Sequence, residues 1–134
     1  MGKDRPILIK ELFNQFLSDQ QAKLARKAYR DYSLVMGLFA DHLDSDGWNY
    51  LDDGDNAYFE ALEQEKTFID LYDHSHIEDN IEAFLNDFVP QKVVAEDAFI
   101  FETCPRVMRT LLTWMRDQHL VELTNADIQE MCEN

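Results

Sequence analysis

The spacing of apolar residues near the start of the chain predicts two consecutive helices. From Ile7 onward, one broad apolar face recurs at helical spacing, formed by Leu8, Leu12 and Phe16 with Ile9, Phe13 and Leu17 beside them. A second run of the same period comprises Leu24, Ala28, Tyr32, Val35, Phe39 and Leu43. It predicts a long helix over about residues 21–44, followed by Gly47, a residue that readily takes the left-handed conformation closing a helix.

The middle of the chain predicts two further helices. The third begins after Gly54 and runs to Tyr72, across the polar segment "EQEK". The fourth covers residues 77–88, where Ile77, Ile81, Phe84, Leu85 and Phe88 are apolar at helical spacing. We expect this helix to stop at Val89-Pro90, because the residue before a proline avoids helical dihedral angles.

The last third predicts short helices around a proline. The segment "AEDAFIF", residues 95–101, is expected to be a short helix, and Pro105 is expected in the first turn of the next one, where a proline is tolerated. That helix should end near His119. In the final segment, Thr124 and Asp127 have the spacing of a capping box, with aspartate in place of the usual longer acid.

These elements together predict a single all-α domain over residues 1–134, a compact bundle of six or seven helices. A constant offset of 72 places Ile9 on Ile81, Val35 on Val107 and Leu51 on Leu123. Two interpretations of this register remain open. Either residues 9–51 and 81–123 are two related helical halves, or two amphipathic helix pairs of similar length match by their common period.

Charge is distributed unevenly along the chain, whose formal net charge is -15. Residues 31–91 hold sixteen of the 27 acids and only one base, Lys66, so the remainder is neutral in sum. A hydrophobic share of 46% nevertheless indicates a folded protein with a core. The apolar runs, such as "LVMGLF", are much shorter than the roughly 18 residues that cross a membrane. We therefore expect a cytoplasmic protein without a membrane segment.

Two sets of basic residues have helical spacing. Lys23, Arg26, Lys27 and Arg30 follow i, i+3, i+4 and i+7, which predicts four cations on one face of the second helix. A sparser set consists of Arg106, Arg109 and Arg116. Such faces are typical of phosphate or acidic-partner binding. The alternative is that they neutralise the acidic block, and this is favoured because the negative net charge repels nucleic acid at long range.

Aspartates concentrate in "DSDGWNYLDDGD", residues 44–55, which suggests a divalent-cation site. Carboxylates are the ligands that calcium prefers, but neither register of an EF-hand loop fits, since the turn-forming sixth position is Asn49 in one and Ala57 in the other. A non-standard cage stays open as a minor alternative to a solvated interhelical loop. Its ligands would be Asp44, Asp46, Asp52, Asp53 and Asp55.

Other reactive residues give weaker indications. Asp73, His74 and His76 could supply ligands to a transition metal, although a polar loop is the favoured interpretation. Cys104 is expected at a helix N-terminus, where the pKa of a thiol can fall, yet a packing role is favoured. The sequence has no P-loop, GxSxG, HExxH or glycine-rich dinucleotide motif, so we expect no enzymatic activity and no cofactor.

Two segments carry distant family resemblances. Residues 9–51 end their first helix in Phe-Leu, have a tyrosine within the second helix and close on Phe39-x-x-x-Leu43. In this pattern they resemble the SAM-like core-binding domain of tyrosine recombinases. Residues 81–121 resemble a little-characterised prokaryotic family of small helical proteins, some of them linked to SEC-C metal-binding motifs. The resemblance implies a helical fold of SAM-like halves, with an ancestry in DNA transactions.

The sequence thus predicts a non-catalytic, acidic helical interaction module with a protein partner that the sequence does not identify. The first alternative is a nucleic-acid-associated protein that uses Lys23, Arg26, Lys27 and Arg30. The second is a divalent-cation-binding protein that uses the aspartates of residues 44–55. A homodimer through an aromatic helix face is also compatible with the sequence.

Overall fold

The first two helices pack as a pair at the start of the chain. A computed structural model of the protein describes residues 7–46, 68–92 and 98–132, and the described residues form an all-α fold, as the sequence predicts. Helix α1 spans Ile9–Lys23 and helix α2 spans Arg26–Asp46. Both bury the predicted apolar face, with Leu12, Phe16 and Phe39 fully enclosed. Burial of such side chains stabilises the fold by roughly 1.5–3 kcal/mol each.

The bounds of both helices differ from the prediction. Helix α1 begins at Ile9 rather than Ile7, because the backbone before it pairs with a later segment: Leu8 bridges Asp73, and the Ile7 carbonyl accepts the His74 N–H at 2.9 Å. The second helix begins at Arg26 rather than at residue 21, since Leu24 is extended and separates the two helices. The predicted cap Gly47 lies outside the described residues.

The segment from Phe68 to Asn80 is built from short helical turns. Helix α3, Phe68–Leu71, is the described end of the predicted third helix, whose remainder lies outside the described residues. Two 3-10 turns follow, His74–His76 and Glu78–Asn80. Tyr72 ties this segment to α1, because its carbonyl accepts the Ile9 N–H at 3.0 Å.

The predicted fourth helix does not stop before Pro90. Helix α4, Ile81–Ala83, continues as a π-helix over Phe84–Phe88 and then as helix α5, Val89–Lys92. Val89 keeps helical dihedral angles, φ −60° and ψ −48°. The chain can stay helical here because the turn before Pro90 is a π turn, in which the Val89 N–H bonds the carbonyl of Phe84, five residues back. This wider turn replaces a regular turn in which the proline ring would clash with the preceding backbone.

The two helices predicted around Pro105 are one helix. Helix α6 spans Ala98–Asp117 and contains Pro105 in its interior. An interior proline costs about 3 kcal/mol, through one lost hydrogen bond and a clash with the preceding turn. Buried side chains on both sides of the proline offset that cost, and these are Cys104, Val107, Met108, Leu111 and Leu112.

Helix α6 closes with a Schellman motif near the predicted residue. His119 has a positive φ of 64°, its N–H bonds the Arg116 carbonyl, and the Leu120 N–H bonds the Met115 carbonyl. Helix α7, Asn125–Cys132, follows after a short extended segment. The predicted capping box is confirmed: the Thr124 hydroxyl accepts the Asp127 N–H, and the Asp127 carboxylate accepts the Thr124 N–H, each at 3.0 Å.

One hydrophobic core joins the described helices. Helix α2 packs against both α1 and α6, and α7 packs on α6. Aromatic rings form the centre of the core, where Phe39 lies 5.8 Å from Phe13 and 4.9 Å from Phe84 between ring centroids. The packing sets the C-terminal end of α1 beside one face of α6 and α7, and this junction holds a cleft.

The offset of 72 relates three helix bounds, although it places Lys23, the end of α1, at position 95, beyond Lys92, where α5 ends. Under this register Ile9, the first residue of α1, falls on Ile81, the first residue of α4. Helix α2, Arg26–Asp46, falls on α6, Ala98–Asp117, to within one residue at the end. Duplication therefore remains a proposal that agrees with these three helix bounds. Leu51, which pairs with Leu123 in this register, lies outside the described residues.

Candidate functional site

A basic cleft lies where α1 ends against α6 and α7. Its volume is about 430 Å³, within the usual range for small-molecule sites. The cleft is lined by three cations, six other polar residues and two apolar ones: Lys23, Arg106 and Arg109; Gln20, Thr110, Thr113, Asp117, Asn125 and Gln129; Trp114 and Ile128.

Helix geometry brings the cations together. Lys23 is the last residue of α1, and the extended Leu24 after it turns the chain away. Arg106 and Arg109 lie on α6 three residues apart and share a face with Thr113, four residues further on. The two basic sets found in the sequence therefore meet here through Lys23 on one side and the arginines on the other.

The three cations of the cleft have no acid partner in the described part of the chain. Ion pairs within 4 Å join Lys10 to Asp70 and Arg116 to Asp117, and none involves Lys23, Arg106 or Arg109. The neutralisation of the acidic block by these cations stays a prediction, because residues 47–67 of that block lie outside the described residues. Nη2 of Arg106 donates to the Thr103 hydroxyl at 3.4 Å.

Several polar groups in the cleft keep donors for a ligand. The Asn125 oxygen accepts a hydrogen bond from Arg116 at 2.5 Å, so its amide nitrogen still has both protons. The Thr110 hydroxyl is already engaged, since it donates to the Arg106 carbonyl at 3.1 Å and lies 3.2 Å from the Tyr32 hydroxyl. The Thr113 hydroxyl carries no bond to a described residue.

The apolar wall of the cleft is held in place from behind. The Trp114 indole donates to the Asp19 carboxylate at 2.7 Å and packs edge-on against Phe16, with 5.7 Å between ring centroids. Ile128 of α7 is 3% exposed and closes the floor. A rigid wall of this kind costs a ligand little reorganisation of the protein on binding.

The remaining predicted cations lie elsewhere. Arg26, Lys27 and Arg30 are exposed on α2, whereas Lys23 belongs to α1, so the four do not form one helix face. The Lys27 ammonium lies 5.4 Å from the ring centroid of Phe99, a cation–π contact. Arg116, expected in the second set, does not line the cleft; it bonds Asn125 and pairs with Asp117 at 3.8 Å.

The proposed aspartate cage falls largely outside the described residues, which hold Asp44 and the backbone of Asp46 but not Asp52, Asp53 or Asp55. The Asp44 carboxylate accepts the Phe68 N–H at 3.2 Å and so links the end of α2 to the start of α3. Within the described ranges, no three His, Cys, Asp or Glu residues are grouped to hold a metal ion.

The cluster at residues 73–76 has a structural role. Burial would raise the pKa of Asp73, but hydrogen bonds from the Ser75 hydroxyl and N–H and the charges of His74 and His76 lower it below its ordinary value. Asp73 thereby caps the 3-10 turn, and His76 packs edge-on against Phe68 and Tyr72. The favoured interpretation as a polar loop agrees with this geometry.

The expected position of Cys104 is wrong. It lies in the interior of α6 rather than at a helix N-terminus, and it is fully buried. Burial raises the pKa of the Cys104 thiol to about 11, and it raises that of Cys132 to about 11 despite the nearby charge of Arg109. Neither thiol has the electropositive, accessible setting of a nucleophile.

A buried polar pair was missed by the sequence reasoning. His42 and Asn80 are 1% and 0% exposed, and the ring of His42 lies among Phe39, Phe84 and Phe88. The only signal in the sequence is that His42 stands among the apolar positions of α2, one residue before the buried Leu43.

No family model, curated protein sequence or solved structure matches the chain. Among the helices of the described ranges, none is both long and apolar enough to cross a membrane.

Proposed function

We propose that the protein is a non-catalytic helical binding module that receives an anionic partner in its basic cleft. The observation that carries the proposal is the convergence of Lys23, Arg106 and Arg109 on one concave site without an acid partner in the described residues. Cations held close together repel one another, and an anion bound between them removes that repulsion.

The chemistry of the lining residues supports binding rather than catalysis. Arginine presents a planar fork of donors that matches the oxygens of a carboxylate or a phosphate, and the bonds it forms with them are charge-assisted. No histidine or cysteine is among the residues lining the cleft. Asp117 is the one acid, and Arg116 lies beside it at 3.8 Å.

A second candidate function is nucleic-acid contact through the exposed start of α2. The supporting observation is the Lys27 ammonium over Phe99, a ring that is 49% exposed, with Arg26 and Arg30 nearby in sequence. Cations beside an exposed aromatic ring are typical of single-strand binding. The net charge of -15 opposes this candidate, because it repels a polyanion at long range. A gel shift at low salt with no retarded single strand would remove it.

We propose a cytoplasmic location for this binding module, in which the acidic residues of the middle segment keep the protein soluble. Kinship with SAM-like recombinase domains or with SEC-C-linked helical proteins remains a proposal that rests on sequence patterns alone. An aspartate-cage function would require an effect of calcium on thermal unfolding, and an unchanged melting temperature would eliminate it.

The main proposal is tested by titrating the ¹⁵N-labelled protein with inorganic pyrophosphate at low ionic strength. We expect amide shifts centred on Lys23, Arg106, Arg109 and Asn125, with saturation. Weak shifts scattered over all exposed cations, including Arg26 and Arg30, would contradict a specific site. Repeating the titration at about 0.5 M salt should weaken binding, because ionic screening reduces charge–charge attraction.

A further inference from the structure

We infer that the ligand of the basic cleft is a small molecule of nucleotide size that carries a terminal phosphate. This inference rests on the proposed function and narrows it from an anion to a ligand class. Three properties of the cleft support this inference, namely its volume, its hydrogen-bond donors and the side chains that line the rest of it. A fourth support is the net charge of the whole protein.

The volume of the cleft is larger than a phosphate group alone would fill. A site of about 430 Å³ exceeds by roughly tenfold the space of one water molecule in the liquid, about 30 Å³, and a phosphate ion would leave most of it filled with solvent. Small-molecule sites commonly have volumes of about 300–1,000 Å³. A nucleoside monophosphate is a ligand of the size that such sites enclose.

The donors are arranged for a doubly charged group. A phosphate monoester carries a charge of about −1.5 to −2 at neutral pH and three strong acceptor oxygens. Arg106 and Arg109 each present a guanidinium group, although one terminal nitrogen of Arg106 also donates to the Thr103 hydroxyl at 3.4 Å, and Lys23 adds a third cation from another helix. A single carboxylate would satisfy at most one fork in the bidentate manner, whereas a terminal phosphate has oxygens for two.

The rest of the lining suits a polar ring. Trp114 and Ile128, which are 7% and 3% exposed, supply a small apolar contact, and the exposed side-chain amides of Asn125 and Gln129 offer hydrogen bonds from α7. Nucleobases are recognised by this combination of apolar contact and amide hydrogen bonds to their edges. A fatty or purely aliphatic ligand would leave those amides facing no partner.

The charge of the whole protein limits the length of the ligand. With a net charge of -15, an extended polyanion meets repulsion over its full length, whereas a mononucleotide meets only the local field of the cleft. Salt screens charges farther than about 8 Å apart at physiological ionic strength, so the nearby cations dominate for a small ligand. The cleft therefore favours a mononucleotide over a strand.

The experiment is a calorimetric titration at low ionic strength with the four common ribonucleoside 5′-monophosphates, their nucleosides, inorganic phosphate and pyrophosphate. We expect at least one monophosphate to bind tenfold or more tightly than inorganic phosphate, and its nucleoside to bind at least tenfold more weakly than the nucleotide. Binding of the nucleotide should fall at least tenfold in Arg106→Gln and in Arg109→Gln, with Arg30→Gln as the matched control.

The variant Gln129→Ala tests the amide contacts of the cleft separately from its cations. It should weaken binding of the nucleotide several-fold and leave binding of pyrophosphate unchanged, because the Gln129 amide carries no charge. Circular dichroism of every variant should show native helix content. If pyrophosphate binds but no monophosphate exceeds inorganic phosphate, the ligand class is wrong and the proposed function stands. If no anion binds, both are wrong.

Discussion

His42 and Asn80 form a hydrogen-bonded pair inside an otherwise apolar core. Nε2 of His42 lies 3.1 Å from Oδ1 of Asn80, and the Asn80 amide nitrogen donates to the His76 carbonyl at 2.8 Å. Because that second bond orients the amide, its oxygen faces the imidazole, and Nε2 of His42 must carry the proton of the first bond. The pair thereby joins α2 to the 3-10 turns before α4.

Replacing Asn80 should lower the stability of the protein, because it breaks this buried hydrogen-bonded pair. Asn80→Ala leaves the His42 N–H and the His76 carbonyl without their partner inside the core, and an unsatisfied buried polar group costs about 1–3 kcal/mol. We expect a loss of about 2–4 kcal/mol in the free energy of unfolding, measured by urea denaturation. The matched control is Asn14→Ala, an exposed asparagine of α1, which should change stability by less than about 0.5 kcal/mol. Equal effects would contradict the role of the pair.

The end of α6 holds a residue in an unfavourable conformation. His119 has a φ of 64°, where glycine has no steric penalty and other residues cost about 1–2 kcal/mol. His119→Gly should therefore raise the free energy of unfolding by about 0.5–1 kcal/mol. Gln118→Gly is the control, since Gln118 has no positive φ, and it should lower stability. A melting temperature lowered by His119→Gly would contradict the left-handed cap.

Replacing Pro105 distinguishes one continuous helix over Ala98–Asp117 from two shorter helices. In the interior of α6 it withholds a hydrogen bond from the Phe101 carbonyl, four residues back. Pro105→Ala should restore that bond and raise the free energy of unfolding by about 1–3 kcal/mol. If the chain instead formed two helices with Pro105 in the first turn of the second, the substitution would be neutral or destabilising in thermal denaturation.

Both thiols should make stability fall at alkaline pH. Their pKa values are raised from 9.0 to about 11 in the folded protein, so the neutral form is favoured and the stabilisation is complete below pH 9. It is lost as the pH rises from 9 through 11, because the unfolded chain releases these protons first. The free energy of unfolding should fall less steeply over this range in Cys104→Ala/Cys132→Ala than in the unsubstituted protein. Parallel slopes would contradict the assignment, as would rapid thiol modification of the folded protein at pH 8.

The helices could be predicted from the sequence where apolar periodicity and burial coincide. Leu12, Phe16, Val35 and Phe39 lie at the predicted positions and are all buried. The errors came from local rules that tertiary packing overrides, as at Pro105, where buried neighbours on both sides outweigh the cost of an interior proline. Helix ends also depend on distant partners, since the start of α1 follows from pairing with residues 72–74.

The candidate site could be predicted only in its parts. Lys23 and Arg109 each belong to a basic set visible in the sequence, but 86 positions separate them, and no spacing rule relates residues so far apart. Their convergence depends on the break at Leu24, which assigns Lys23 to α1, and on the packing of α6 and α7. The buried pair of His42 and Asn80 likewise could not be predicted, because only the packing of the helices brings these two residues together.

The most direct test of the basic cleft compares pyrophosphate affinity in two double variants by calorimetry. Arg106→Gln/Arg109→Gln removes two cations from the cleft, and Arg26→Gln/Arg30→Gln removes two exposed cations from α2, so both carry the same net charge. Because each charge-assisted hydrogen bond contributes about 1.5–3 kcal/mol, we predict that the first variant loses at least tenfold in affinity. The affinity of the second variant for pyrophosphate should stay within about twofold of that of the unsubstituted protein, because salt screens the distant exposed charges. Equal losses in the two variants would show a nonspecific effect of net charge and contradict an anion site in the cleft.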